Sequence, residues 1–154
     1  SEGIKVIGSF NSENLIEKDG KEVSILSQTG RGYYVLGVLG MGQEPTNHAL
    51  HDIAKMKEKL DKWGRPMVLL FTNQAEKDKF ETQKGEFGNL LKNTIFGIDK
   101  DGTVVKEIAK EMKLRNPNQL PIFIIADTFN RVVFLSQGYT IGLGEQLVKV
   151  SSKL

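Results

Sequence analysis

Three consecutive segments constrain the fold of this chain more than any other part of it. Tyr33-Tyr34-Val35-Leu36-Gly37-Val38-Leu39 is short, apolar and bounded by glycines, which predicts a buried strand. From Thr46 to Trp63 the period changes. Leu50, Ile53, Met56, Leu60 and Trp63 recur every three or four residues, while Lys55, Lys57, Glu58, Lys59 and Lys62 fill the other face. That pattern predicts one amphipathic helix ending before Gly64 and Pro66. Met67 to Phe71 is a second buried strand. Strand, helix and strand over about 40 residues form a βαβ unit, with parallel strands and a right-handed crossover.

The flanking segments are shorter. Ile4 to Phe10, Asn14 to Ile16 and Glu22 to Leu26 are small apolar-containing pieces, and Lys18-Asp19-Gly20-Lys21 reads as a hairpin turn. Gln74 to Thr82 is polar and predicts a short helix, Lys84 to Asn89 a loop, and Thr94 to Ile98 a short strand. Asp99-Lys100-Asp101-Gly102 is a turn, after which Val104, Val105, Ile108, Ala109 and Met112 share a helical face. Asn116-Pro117-Asn118-Gln119 breaks that helix. Ile122 to Ala126 and Arg131 to Ser136 form an antiparallel hairpin, and a last helix buries Leu143, Leu147 and Val150.

Composition excludes several function classes. With 154 residues the chain is long enough for one α/β domain and too short for two. Its 21 basic and 19 acidic residues are scattered, with no run of five Lys or Arg, so neither a nucleic-acid footprint nor a polybasic membrane patch is expected. No apolar run approaches the roughly 18 residues of a membrane span. Ser1-Glu2-Gly3-Ile4 lacks the basic start of a signal peptide. The absence of cysteine removes disulfides, thiol nucleophiles and thiolate metal sites.

Four landmarks carry a family resemblance. Gly20-Lys21-Glu22-Val23-Ser24-Ile25 resembles the Asp-Gly-Lys-x-Val-x-Leu opening of the thiol–disulfide oxidoreductase and peroxiredoxin-like branch of the thioredoxin superfamily. Tyr34 to Thr46 is similar, without gaps, to that branch's strand followed by Trp-Cys-x-Pro-Cys. Leu120-Pro121 to Ala126-Asp127 resembles its cis-proline segment, and Gln137-Gly138-Tyr139-Thr140-Ile141-Gly142 its closing Gly-Tyr-x-x-Gly. The resemblance spans nearly the whole chain. It implies a single thioredoxin-like α/β domain over residues 1–154: a three-layer sandwich, with a mixed central sheet, helices on both faces and an N-terminal β-hairpin extension. It also implies a cis Leu120-Pro121 bond facing the former redox site, with the preceding backbone open to a peptide.

The departures decide what the resemblance implies about function. The attacking cysteine falls on Gln43 and the resolving one on Thr46, with Glu44 and Pro45 between them. Gln43 has no ionisable proton, and a helix dipole cannot make the Thr46 hydroxyl a nucleophile unaided. Thr46 is expected as an N-cap or first-turn residue and Pro45 within the first turn. The chain therefore resembles a redox-inactive member of the branch, with Gln43, Glu44, Pro45 and Thr46 as a degenerate redox motif and no cofactor implied. Chains like it are C-terminal domains of larger secreted or envelope proteins of anaerobic bacteria, some with a transglutaminase-like domain upstream. That resemblance implies a periplasmic or extracellular place, excision from a longer protein, and a protein, peptide or upstream-domain partner. The implied groove is a shallow apolar surface formed by Met41, Gly42, Glu44, Pro45, Leu120 and Pro121. A cysteine-free enzyme of the glutathione-transferase type using Thr46, and a purely structural appendage, are the alternatives.

Other patterns carry less. His48 and His51 lie three apart on the central helix and with Glu44 make at most a weak metal or acid–base site, so two exposed helix histidines are expected. Gly37-Val38-Leu39-Gly40-Met41-Gly42 does not have the order of a nucleotide loop. Asp99-Lys100-Asp101-Gly102 resembles the start of a calcium loop but lacks the later ligands.

Overall fold

The structure is a computed structural model that describes residues 3–87 and 90–154. Within those residues β1 (Gly8–Ser9), β2 (Leu15–Lys18), β3 (Lys21–Ser24), β4 (Tyr33–Leu39), β5 (Met67–Phe71), β6 (Thr94–Ile98), β7 (Ile122–Asp127) and β8 (Arg131–Gln137) form one sheet, in the order β1-β8-β7-β4-β5-β6-β2-β3. β4, β5 and β6 run parallel. The remaining neighbours are antiparallel. The helices are α1 (Ile25–Thr29), α2 (Glu44–Lys55), α3 (Lys57–Trp63), α4 (Gln74–Gln83), α5 (Thr103–Glu111) and α6 (Leu143–Ser151).

Side chains alternate across the central strands, so each strand feeds two cores. Val35, Leu39, Leu69, Phe71, Phe123 and Ile125 face one core, shared with Leu50 and Ile53 of α2, Leu60 of α3, Phe80 of α4 and Leu147 of α6. Tyr34, Leu36, Val38, Leu70, Ile122 and Ile124 face the other, under Val104 and Ile108 of α5 and Ile25 of α1. This two-sided burial explains why β4 and β5 read as continuous apolar runs. At the centre of β4, Gly37 pairs with Phe123, and a Cβ there would sit 2.5 Å from the Phe123 ring. Any larger residue at 37 would collide with that ring.

The structure alters three expectations about elements. The single helix over Thr46–Trp63 begins earlier, at Glu44, and is broken at Met56 (φ −102°, ψ 13°) into α2 and α3. Gly144 of α6 packs against this break, touching Asp52 and Met56. α1 is a helix that the pattern did not announce; the Ser24 hydroxyl caps it by accepting from the Ser27 N–H at 3.1 Å. Of the loop expected over 84–89, residues 84–87 form a 3₁₀ turn, and 88–89 lie outside the described residues. Asp99, read as a turn residue, is buried. Its two oxygens accept from the N–H groups of Val104 at 2.7 Å and Val105 at 2.9 Å, so it caps α5 rather than facing a cation. Burial pushes the Asp99 carboxyl above its ordinary range despite those two bonds.

Tyr34 illustrates a cost of this packing. Its side chain is fully buried, and its Oη has no hydrogen-bond partner among the described residues. Burial pushes the phenol up to about 12, while the nearby Ser12 hydroxyl is spent on the Asp127 carbonyl. The folded state thus holds the phenol proton more tightly than the unfolded chain, whose tyrosines titrate near about 10. Stability should fall as pH rises through that window. Tyr34→Phe is expected to match or exceed the parent by up to about 1 kcal/mol at pH 7, because it removes a buried unpaired hydroxyl. Denaturant titrations at neutral and at high pH check both: the variant should lose less stability on going alkaline, and an equal loss would contradict the burial argument.

Candidate functional site

The site forms where β4 ends. Beyond Leu39 the chain crosses Gly40, Met41 and Gly42 and enters α2 with Gln43 at the N-cap and Pro45 in the first turn. The turn is held by backbone bonds from Gln43 N–H to Gly40 O at 2.9 Å and from Thr46 N–H to Gln43 O at 3.1 Å. Thr46 is fully buried in that first turn, and its Oγ1 accepts the Gly40 N–H at 3.1 Å. The first-turn expectation for Thr46 and Pro45 therefore holds. Gln43 is the N-cap, yet its side chain does not cap the helix. It folds the other way, and its Oε1 accepts the Leu120 N–H at 3.3 Å. Its carboxamide lies over Gly40, where a Cβ would sit 2.7 Å from Nε2 and 3.1 Å from the Leu120 Cβ. Gly40 is a glycine because two side chains close over it.

Three of the sequence landmarks meet here. The Leu120-Pro121 bond is cis, as the resemblance implied. Pro121 O accepts the Gly138 N–H at 2.8 Å, which ties the closing Gly138-Tyr139 segment to the proline. Tyr139 then reaches back to α2 and stacks on His48, with ring centroids 4.5 Å apart. The two histidines are consequently not an equivalent exposed pair. His48 is half-buried under Tyr139, whereas His51 is exposed and packs against Phe87 at 4.8 Å. Among the described residues no group of three His, Cys, Asp or Glu is arranged to hold a metal.

The expected shallow apolar surface is filled in. Met41 is 5% exposed and Leu120 6%, and Pro121 is buried as well. Gly42 and Glu44 are the exposed part of the set, with Pro45 half-buried, and Gln43 beside them is exposed too. The backbone expected to lie open ahead of the cis-proline has its N–H occupied by Gln43. One residue and one contact went unread in the sequence. Asp52, buried on α2, accepts the Gly144 N–H at 2.6 Å and clamps α6 to α2. An acidic residue inside the apolar stripe, next to Ile53, was the available signal. The Tyr139–His48 stack had no local signal.

The fold is thioredoxin-like. A SCO1/SenC family lipoprotein from Bacillus anthracis is 15% identical over 97% of each chain, with a TM-score of 0.68. Reduced Prx3 from Vibrio vulnificus is 16% identical over 97% of this chain and 99% of its own, with a TM-score of 0.67. The exposed lipoprotein thioredoxin Etrx1 from Streptococcus pneumoniae is 15% identical over 92% of this chain and 98% of its own, with a TM-score of 0.60. No family model matches the chain, and no curated protein matches it. On this thioredoxin-like scaffold the two positions that follow the strand-to-helix junction carry a carboxamide and a buried hydroxyl. Neither is a thiol, and among the four motif residues only Glu44 carries an ionisable side chain.

Proposed function

We propose that this chain is a redox-inactive thioredoxin-like module that engages a protein or peptide partner, or another domain of its own polypeptide, within a larger secreted or envelope protein. The observation that carries the reading is the use made of the two former thiol positions. Gln43 binds the backbone ahead of the cis-proline, and Thr46 binds the backbone of Gly40. Both side chains hold the junction together and neither presents a nucleophile. The alternative of a glutathione-type enzyme acting through Thr46 is disfavoured by burial, since that hydroxyl has no exposed surface to offer a substrate. The envelope location draws on solved structures described as lipoproteins, and the parent architecture with an upstream transglutaminase-like domain draws on sequence resemblance alone.

On this reading the partner surface is the exposed rim at Gly42, Gln43, Glu44 and Pro45, and Gln43 covers the Leu120 N–H, a backbone donor an extended peptide could use. Insulin reduction with dithiothreitol tests the redox part: turnover should equal the no-protein control, and any excess would overturn it. Binding of a labelled random-sequence peptide pool tests the interaction part. Gln43→Ser supplies a good N-cap residue but is too short to reach Leu120, so it should strengthen peptide binding several-fold. Equal binding by parent and variant would remove the groove from the reading and favour a purely structural appendage.

A further inference from the structure

A local excess of positive charge lies away from the junction. An open cleft of about 660 Å³ runs between α2, α3 and the segment ahead of β6, lined by Ala54, Lys55, Lys57, Glu58, Asp61, Lys62 and Lys92. Four ammonium groups face two carboxylates there, an excess that equals the formal net charge of the entire chain, +2. Local pairing accentuates it. Asp61 Oδ2 is paired with the Lys57 ammonium, and Asp61 Oδ1 accepts the Lys92 N–H at 2.9 Å. That carboxylate is therefore committed to building the cleft, because it fixes residue 92 opposite α3. The Asn93 carboxamide adds a second tie, donating to Gly64 O at 3.0 Å. Glu58 sits in the first turn of α3, where helix N–H groups already favour its charge. Among the described side chains, which leave out that of Glu86, no carboxylate lies within ion-pair distance of Lys55, Lys62 or Lys92.

Lys55, Lys62 and Lys92 line one cleft from three segments, and Asp61 fixes the backbone of residue 92 on its far side. We propose that this cleft is an anion site for a ligand carrying two or more phosphate groups, bound by Lys55, Lys62 and Lys92. Lysine ammonium groups bind phosphate as compact point charges, and a polyphosphate offers them more negative charge than a tricarboxylate of similar size. The volume lies within the range of about 300–1,000 Å³ typical of small-molecule clefts and exceeds what one phosphate fills. The lysines come from three elements, so the site exists only in the folded chain.

Calorimetric titration of the full chain with tripolyphosphate, at constant ionic strength, reads the site directly. Saturable one-to-one binding is expected, with citrate binding at least tenfold more weakly. Lys62→Gln with Lys92→Gln should weaken it by about tenfold for each ammonium lost, as charge-assisted bonds are removed. Both residues are exposed, so the unliganded variant should unfold within a few degrees of the parent. Lys5→Gln with Lys110→Gln removes the same charge elsewhere on the surface and should leave binding unchanged. A long-chain polyphosphate titrated in parallel separates the sources: tighter binding per chain points to a polymer, equal binding to a small polyphosphorylated molecule. Absence of saturable binding, or an equal loss in the Lys5/Lys110 pair, would overturn the proposal.

Discussion

Replacing Gly144 by alanine is expected to lower the unfolding temperature by about 10 °C. A Cβ at that position would lie 2.5 Å from the Asp52 carbonyl oxygen and 2.7 Å from Met56 Cγ. The first contact is backbone, so it cannot be relieved by a rotamer change; α6 and α2 must separate. Separation also stretches the 2.6 Å bond from the Gly144 N–H to the Asp52 carboxylate, which would leave a buried charge poorly paired. Overpacking costs about 1–3 kcal/mol, and weakening a hydrogen bond to a charged group adds about 1.5–3 kcal/mol. For a domain of this size each kcal/mol moves the midpoint by about 2–4 °C. Gly42→Ala is the matched control, since a Cβ there meets nothing within 4 Å and should leave the midpoint in place. Thermal melts followed by circular dichroism decide it: a Gly144→Ala midpoint within a degree or two of the parent would mean that the helices are not clamped at this point.

The same contact shows where sequence reading stops. β4, β5 and β6 coincide with the segments read from the sequence, because each is a short apolar run bounded by glycine, proline or polar residues. The break at Met56 was not legible, since the apolar period runs through it to Leu60 and Trp63 and no glycine or proline marks it. α1 escaped notice because five residues are too few to show a helical period. The site divides along the same line. The strand-to-helix junction, the cis-proline and the Gly138-Tyr139 segment were legible as local patterns in the right order. The bond from Gln43 to Leu120 joins residues 77 apart, and the stack of Tyr139 on His48 joins α2 to the segment after β8. Such pairings are fixed by topology, and no local pattern encodes them. The groove was read as open for this reason: the local residues were right, and the side chain that closes the groove was identified only as a missing cysteine.

Placing cysteines at positions 43 and 46 should give this scaffold thiol–disulfide activity. In Gln43→Cys with Thr46→Cys, the first thiol would sit at the exposed N-cap of α2, where free N–H groups and the helix dipole favour a thiolate. The second would take the buried first-turn position. Gln43 O accepts the Thr46 N–H at 3.1 Å, so the pair spans one hydrogen-bonded turn, whose Cα separation below about 7 Å is within reach of a disulfide. Removing the glutamine carboxamide also frees the Leu120 N–H beside the cis-proline. The Gly40 N–H loses its hydroxyl acceptor, a stability loss of about 1 kcal/mol that a domain of this size tolerates. The double variant should lose both free thiols under mild oxidant and then reduce insulin above background, while the parent and the Thr46→Cys single variant should not. Two thiols that stay free under oxidant in a folded double variant would show that positions 43 and 46 are not the former redox pair. The result separates chemistry from scaffold: activity regained by two side chains would mean that the rest of the thioredoxin-like site, the helix start and the proline opposite it, is still competent.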